Sequence, residues 1–439
     1  MSIPVFMLDA SRGDLPDRDF LEYMKAFLSE TLSALRREQV ESRCDGHTAC
    51  LRHSDAMDSI LRALHDRSRG RFIKSSPDLK YRMAVVAVGG YGRQELCPKS
   101  DIDLLFLHPH KMDRYVEEMT ERMLYPLWDL GLDVGHSVRN VKETVRMAAM
   151  DDSIHTALLD YRLVAGSETF FGDAEKELEK FLFYTDADRF IEKKIAEMRS
   201  RHAKYGSTVY ILEPNVKEGR GGLRDLHTAF WTARVKYKCA NLVDLRNKGV
   251  VSSQTSRAIR HVISWLLQVR CELHSLTGKR TDVLTFELQE QMAERFRYRT
   301  HGKHYGVERF MRAYYMHALS AARLSDELLE EVDRFMPEGG RKPLFPIRRK
   351  KVGGGGILYQ GKLSLIDSAS VTKDPVGVLE FFRTMQMTHS TLSVQARKQI
   401  QRALPLAGQE FRDDPRAGRL FLEILSDPHR LRETLLAMN

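Results

Sequence analysis

The sequence predicts an α+β protein: a small mixed sheet, flanked by N-terminal helices and followed by a larger helical domain. Two apolar runs predict the sheet. Met83-Ala-Val-Val-Ala-Val88 ends in Gly89-Gly90, and Ile102–Leu107 is interrupted only by Asp103, as strands buried on both faces require. The helices are predicted by apolar residues that return every three or four positions on either side of this segment.

The elements follow in order. Phe20, Met24, Phe27, Leu28, Leu32 and Leu35 describe one buried helix face, and a second helical stretch runs from Thr48 to His65. After the two strands, Tyr115, Met119, Met123, Leu124 and Leu127 return to helical spacing between Lys111 and Leu130. A third strand, Leu132–Arg139, is entered through Gly131. Strand, turn, strand, helix and strand make a compact α/β unit. From Lys142 to Phe335 the pattern is mainly helical, interrupted by Glu213-Pro214-Asn215 and by Gly219–Gly222. Residues 337–372, with prolines, glycines and Gly356-Ile-Leu-Tyr-Gln360, suggest a small β element, and helical spacing resumes at Pro375. The expected domains are 1–75, 76–165, 166–335 and 336–439.

Composition narrows the class. With 42% hydrophobic and 29% charged residues in 439, the chain can bury a core in each of several domains, and disorder as the whole answer is excluded. No apolar stretch approaches the ~18 residues of a spanning helix. The opening MSIPVFMLDASRGD lacks the basic-then-apolar plan of a secretory signal, so a cytoplasmic protein without a membrane partner is expected. A net charge of +9 suggests an anionic partner. The densest basic run, Arg348-Arg349-Lys350-Lys351, reads as a solvated loop between two short strands. Five cysteines without a CxxC exclude a disulfide framework. Cys44, His47, Cys50 and His53 are spaced by three; on a helix each step turns back by about 60°, so the four cannot close one tetrahedral site and read as surface or partly buried residues.

The informative segment is GGYGRQELCPKSDIDLLF, residues 89–106. Asp101 and Asp103 are two apart, so on a strand both carboxylates leave one face while Ile102, Leu104 and Phe106 point into the core. Two close carboxylates repel unless a cation lies between them, and oxygen ligands suit a hard divalent ion such as Mg²⁺. Upstream, with ten residues between Gly90 and Asp101, Gly89 and Gly90 let the backbone approach a phosphate. A phosphate cradle beside a metal-holding acid pair is the minimum machinery for attack on an α-phosphate, with Arg93 and Ser100 placed to support phosphates or acids. GGYG is neither GxGxxG nor a P-loop.

These residues resemble the nucleotidyltransferase motif of the bifunctional PII uridylyltransferase/uridylyl-removing enzymes, within the polymerase-β-like superfamily. A second stretch, Glu213-Pro-Asn-Val-Lys-Glu-Gly-Arg-Gly-Gly-Leu-Arg-Asp-Leu226, resembles that family's EPN-K-G-GGLRD signature. GLDVGHSVRN (131–140) and DDSIHTALLDYRLVAG (151–166) also match in kind and order. The resemblance implies a polymerase-β-like catalytic domain that transfers UMP from UTP to a tyrosine of the nitrogen-regulatory PII protein with Mg²⁺. By motif match, Asp101 and Asp103 would hold the metal and Gly89 and Gly90 would form the phosphate turn. Asp133, on a strand beside the pair, is favoured as the third acid over Asp160. Lys217, Arg220 and Arg224 of the second stretch either contact nucleotide or acceptor, or cap and salt-bridge a glycine-rich turn. No RNA-reading module is resembled, so nucleic acid is not expected as a partner. The family's HD hydrolase and ACT domains have no counterpart here: His65-Asp66 is the sole HD dipeptide and reads as surface, so uridylyl removal is not expected of this chain.

Overall fold

The computed structural model describes residues 15–41, 44–75, 82–109, 112–301, 305–333, 350–353, 356–359, 361–365, 374–406 and 408–438. The opening segment 1–14 and Arg348-Arg349 lie outside the described residues. The chain divides into two units, Met1–Val332 and Asp333–Asn439.

The first unit begins with two helices, α1 (Asp17–Val40) and α2 (Gly46–Ser75). There follow β1 (Ala84–Ala87), a single helical turn α3 (Gly89–Gly92), β2 (Ile102–His108), α4 (Arg114–Asp129) and β3 (Val134–Asn140). Next come α5 (Val141–Met150), α6 (Asp152–Leu159) and β4 (Arg162–Gly166). The four strands form a mixed sheet in the order β3-β2-β1-β4. β2 and β3 run parallel because α4 carries the chain back between them, and β1 is antiparallel to both β2 and β4. Asp113 caps α4 by accepting from Val116 N at 2.9 Å, and the apolar face of α4 covers the sheet with Tyr115, Met119, Met123 and Leu127. Ile102, Leu104 and Phe106 join that core, as expected from their alternation with the aspartates.

Seven further helices complete the unit: α7 (Glu168–Tyr184), α8 (Ala187–Tyr205), α9 (Leu223–Tyr237), α10 (Leu242–Asn247), α11 (Ser253–Thr277), α12 (Phe286–Arg295) and α13 (Gly306–Asp333). A second core forms between α9, α11 and α13 around Leu226, Leu266, Leu273, Phe310 and Tyr314. Helix α2 lies against α4, β4 and α11, so it packs on the sheet and the helical part alike. Among the described residues no helix is long and apolar enough to cross a membrane.

Three expectations need correction here. Strand β4 lies within the stretch read as helical; it is short, and only Val164 and Ala165 of its five residues are buried, too little for an alternation to be visible. Helix α2 runs ten residues past His65, because the polar extension is held by tertiary pairs: buried Arg67 donates to Asp17 at 2.9 Å and lies 4.6 Å over the Phe20 ring. His65 is buried rather than on the surface, with Nδ1 3.0 Å from Asp66 Oδ1.

The second unit has its own sheet, β5 (Lys350–Val352), β6 (Gly356–Tyr359), β7 (Lys362–Leu365) and β8 (Thr391–Leu392), in that order. Its core joins Leu363, Leu365 and Leu392 to Phe381, Phe382 and Ile424 of the surrounding helices. Lys350 and Lys351 stand on a strand paired with β6, not in a loop.

Candidate active site

The GGYG turn serves two purposes. Gly89 has φ +60°, a left-handed conformation that glycine adopts without strain, and a Cβ there would come 3.4 Å from Asp103 Oδ2. Tyr91 is fully buried, and its hydroxyl donates to Asp58 Oδ1 of α2 at 2.6 Å. The same carboxylate receives Arg162 of β4 at 2.9 Å. A Cβ on Gly92 would fall 1.6 Å from the carbonyl oxygen of Asp160, so no other residue fits. Tyr91 and Gly92 thus anchor the turn, while Gly89 and Gly90 face outward over the acids.

Asp101 immediately precedes β2 and Asp103 lies within it. The register Ile102↔Val134 and Asp103↔Gly135 puts Asp133 beside Asp101 on the same face, since laterally paired residues in a sheet point the same way. A Cβ on Gly135 would come 2.6 Å from Asp103 Oδ1, so the carboxylate occupies the space that this glycine leaves. Asp103 therefore stands between two glycines, one beside each oxygen. Arg280 ion-pairs with Asp101 from the segment after α11. Burial, and then the charge of Asp101, push the Asp103 carboxyl above the usual carboxylate range.

The second motif builds the opposite wall. Asn215 Oδ1 accepts from the amides of Lys217 and Glu218 at 3.0 and 2.7 Å, winding the chain into a tight turn. Gly221, at φ +75°, passes so close to α13 that a Cβ would meet the Ala318 carbonyl at 2.2 Å. Buried Asp225 then locks the start of α9, receiving Arg201 and the Gly221 amide, with His202 Nε2 at 2.8 Å. The winding brings Lys217 and Arg224 into the same cavity as the acids, with Arg224 paired to Glu218 at 3.4 Å. Burial and the charges of Arg270 and Arg224 depress Lys217 to about 8.

Between these walls lies a cavity of about 440 Å³. Gly89, Gly90, Arg93, Ser100, Asp101 and Asp103 line it from the sheet side, and Lys217 and Arg224 from the helical side. Asp133 lines instead a second cavity of about 370 Å³, which shares Asp101 and Asp103 with the first and is bounded by Trp128 and Gly135. The acid pair forms the ridge between a chamber lined by both cations and carboxylates and a more open one. Arg220 faces neither chamber; it pairs with Asp326 at 3.1 Å.

Two residues differ in role from what their position suggests. Arg93 lines the first cavity, but its Nη1 and Nε are held by Asp160 at 2.8 Å and Glu95 at 2.9 Å. Its Nη2 points toward Gly90, 3.8 Å from where a Cβ would be. Asp160, the rival third acid, is buried and saturated: it accepts from Arg93, from Trp231 Nε1 at 2.7 Å and from Arg234 at 2.6 Å. It supports the site without facing the acid pair. Burial opposes ionisation of Glu95, yet His227 and Arg93 together hold its carboxyl well below the usual range.

Arg280, Arg270, His227 and Trp231 also line the first cavity and were not singled out from the sequence. Arg280 and Asp282 stand in the short polar segment Gly278-Lys-Arg-Thr-Asp282, and His227 follows GGLRDL directly. Proximity to the second motif was the available signal for His227 alone. The donor set fits a hard divalent ion: paired carboxylates, a glycine on either side of Asp103 instead of covering side chains, and a cation already drawn to Asp101.

Comparison with known proteins extends these observations. The family model described as "GlnD PII-uridylyltransferase" matches residues 189–329, which include Lys217, Arg224, Arg270 and Arg280. A second, "Uridylyltransferase GlnD third domain", matches residues 357–439. A bifunctional uridylyltransferase/uridylyl-removing enzyme of Bradyrhizobium sp. (strain ORS 278) is 33% identical over 427 residues, covering 95% of this chain and 46% of the relative. The enzyme of the same description from Azospirillum brasilense is 35% identical over 407 residues, 92% of this chain and 44% of the relative. That from Novosphingobium aromaticivorans is 34% identical over 434 residues, 98% and 47%. The chain thus spans about half the length of the relatives it matches. On these matches the chain belongs to the GlnD PII-uridylyltransferase family.

Proposed function

We propose that this chain transfers UMP from UTP to a tyrosine hydroxyl of a PII signalling protein in the cytoplasm, releasing pyrophosphate. The observation that carries the reading is the convergence of Asp101, Asp103, Gly89 and Gly90 with Lys217, Arg224 and Arg280 on one cavity. Asp101 and Asp103 would hold Mg²⁺, which supplies charge neutralisation and polarisation at the transferring phosphate. Lys217 and Arg224 bind the triphosphate oxygens, and Gly89 and Gly90 admit them to the backbone. Arg280 leaves Asp101 for the departing pyrophosphate.

The acceptor enters from the second cavity, past the exposed Trp128. A tyrosine hydroxyl with a pKa near 10 must lose its proton as it attacks. Asp133, on that side of the acid pair, takes the proton as the oxygen–phosphorus bond forms and the α–β bridging bond breaks. The proposal covers the transfer step alone.

UTP labelled at the α-phosphate, offered with PII, with tRNA and with buffer alone, tests the reading. Label should appear on PII only, and should vanish with Asp101→Asn or Asp103→Asn while circular dichroism is unchanged. Label on tRNA, or wild-type turnover by either variant, would refute it.

A further inference from the structure

Three of the five cysteines, from distant parts of the sequence, meet in the interior. Cys50 comes from α2, Cys97 from the loop four residues before Asp101, and Cys271 from α11; they are 1%, 0% and 3% exposed. Cys50 Sγ lies 3.4 Å from Cys271 Sγ and 3.8 Å from Cys97 Sγ, and all three sulfurs lie within 4.8 Å of one another. Apolar packing alone does not require three thiols to converge on a point. One ion bound at a metal–sulfur distance of about 2.3 Å holds its sulfurs about 4 Å apart, close to the spacing seen.

We propose that Cys50, Cys97 and Cys271 form a three-sulfur site for a single thiophilic metal ion of the zinc class, separate from the carboxylate site on β2. Soft sulfur donors select such ions over the hard cation suited to Asp101 and Asp103. Three thiolates around a divalent ion leave one negative charge, and Arg270 Nη1 stands 3.6 Å from Cys97 Sγ to meet it. Arg270 is itself fixed by Asp282 at 2.7 Å and reaches Ser100 Oγ at 3.4 Å, so the sulfur site borders the wall of the nucleotide cavity. On binding, each thiol exchanges its proton for a metal–sulfur bond, and no oxidant or reductant is needed. The inference does not depend on which nucleotide or acceptor the enzyme uses.

The test uses the full chain, reduced and stripped with a chelator. Titration with Zn²⁺ should show one ion bound per chain, with proton release and a raised melting temperature. Cd²⁺ should give a sulfur-to-metal charge-transfer absorption in the ultraviolet, on the short-wavelength side of the aromatic band, of three-thiolate intensity. Cys271→Ser and Cys50→Ala should lose the band, whereas Cys44→Ser and Cys239→Ser, outside the cluster, should keep it. Because removal of a buried thiol can disturb packing, the unmutated chain decides first: a folded wild-type protein that gives no thiolate band with Cd²⁺ overturns the proposal. A band that survives Cys271→Ser, or that Cys44→Ser abolishes, overturns it as well.

Discussion

Gly135→Ala is the most revealing single substitution, because it alters neither a charge nor a presumed ligand. The added Cβ would lie 2.6 Å from Asp103 Oδ1, where ordinary contact begins near 3.4 Å, so the carboxylate must retreat by about 0.8 Å. Retreat carries its other oxygen toward Gly89, where a Cβ, were there one, would stand 3.4 Å away. Turning the side chain off its rotamer costs roughly 0.5–1.5 kcal/mol. In a unit of this size that lowers the melting temperature by at most about 4 °C. Displacement of a reacting group by close to 1 Å costs about 10²-fold in rate. The variant should therefore melt almost as the wild type does while losing about two orders of magnitude in UMP transfer, with weakened Mn²⁺ binding. Calorimetry for the ion and the labelled-UTP assay read both effects. Wild-type transfer together with wild-type ion affinity would refute the placement of Asp103 as a metal ligand hemmed in by two glycines.

The remaining expectations concern the neighbours of that carboxylate. Asp160→Ala leaves Arg93 and Arg234 without their buried partner and should cost about 3–5 kcal/mol in urea denaturation, whereas exposed Asp133→Asn should change stability by less than ~0.5 kcal/mol and still abolish transfer. Arg280→Ala should raise the affinity for Mn²⁺ in the absence of nucleotide by at most about fivefold, since a half-exposed pair is worth ~0–1 kcal/mol, and should weaken pyrophosphate binding. Lys217 carries its charge below about pH 8 and loses it above; UTP affinity measured by calorimetry should therefore fall as pH rises through that value, with proton uptake on binding, and Lys217→Arg should flatten the profile. The same depression means that the unfolded chain binds the proton more tightly, so without nucleotide this lysine's penalty on folding is relieved as pH rises above about 8.

What could be read from the sequence was what lies close along the chain. Asp101, Ile102, Asp103 and Leu104 declare a strand with one functional face by a period of two, and Gly89-Gly90 marks its turn within the same local stretch. Lys217 and Arg224 were legible only through likeness to a known motif, because nothing local distinguishes them from Arg220, which turns away to Asp326. Arg280 reaches Asp101 across 179 positions, and Cys50 meets Cys271 across 221. No periodicity encodes such meetings; they arise when α2 and α11 close on each other. The extension of α2 past His65 was not legible for a related reason, since a polar residue such as Arg67 shows its burial only when tertiary partners such as Asp17 and Phe20 are known.

Helix α2 carries a lesson for anyone dividing this polypeptide. Its Asp58 receives Tyr91 of the glycine turn, its Cys50 touches Cys271 of α11, and its Arg67 donates to Asp17 at the beginning of α1. Trimming the chain to the strands that bear the aspartates would remove a strut shared by everything around it. A piece that keeps the acid-bearing sheet supported accordingly includes α2 together with its partners, and attempts to graft the acid-bearing strands onto another scaffold would need to bring this helix along.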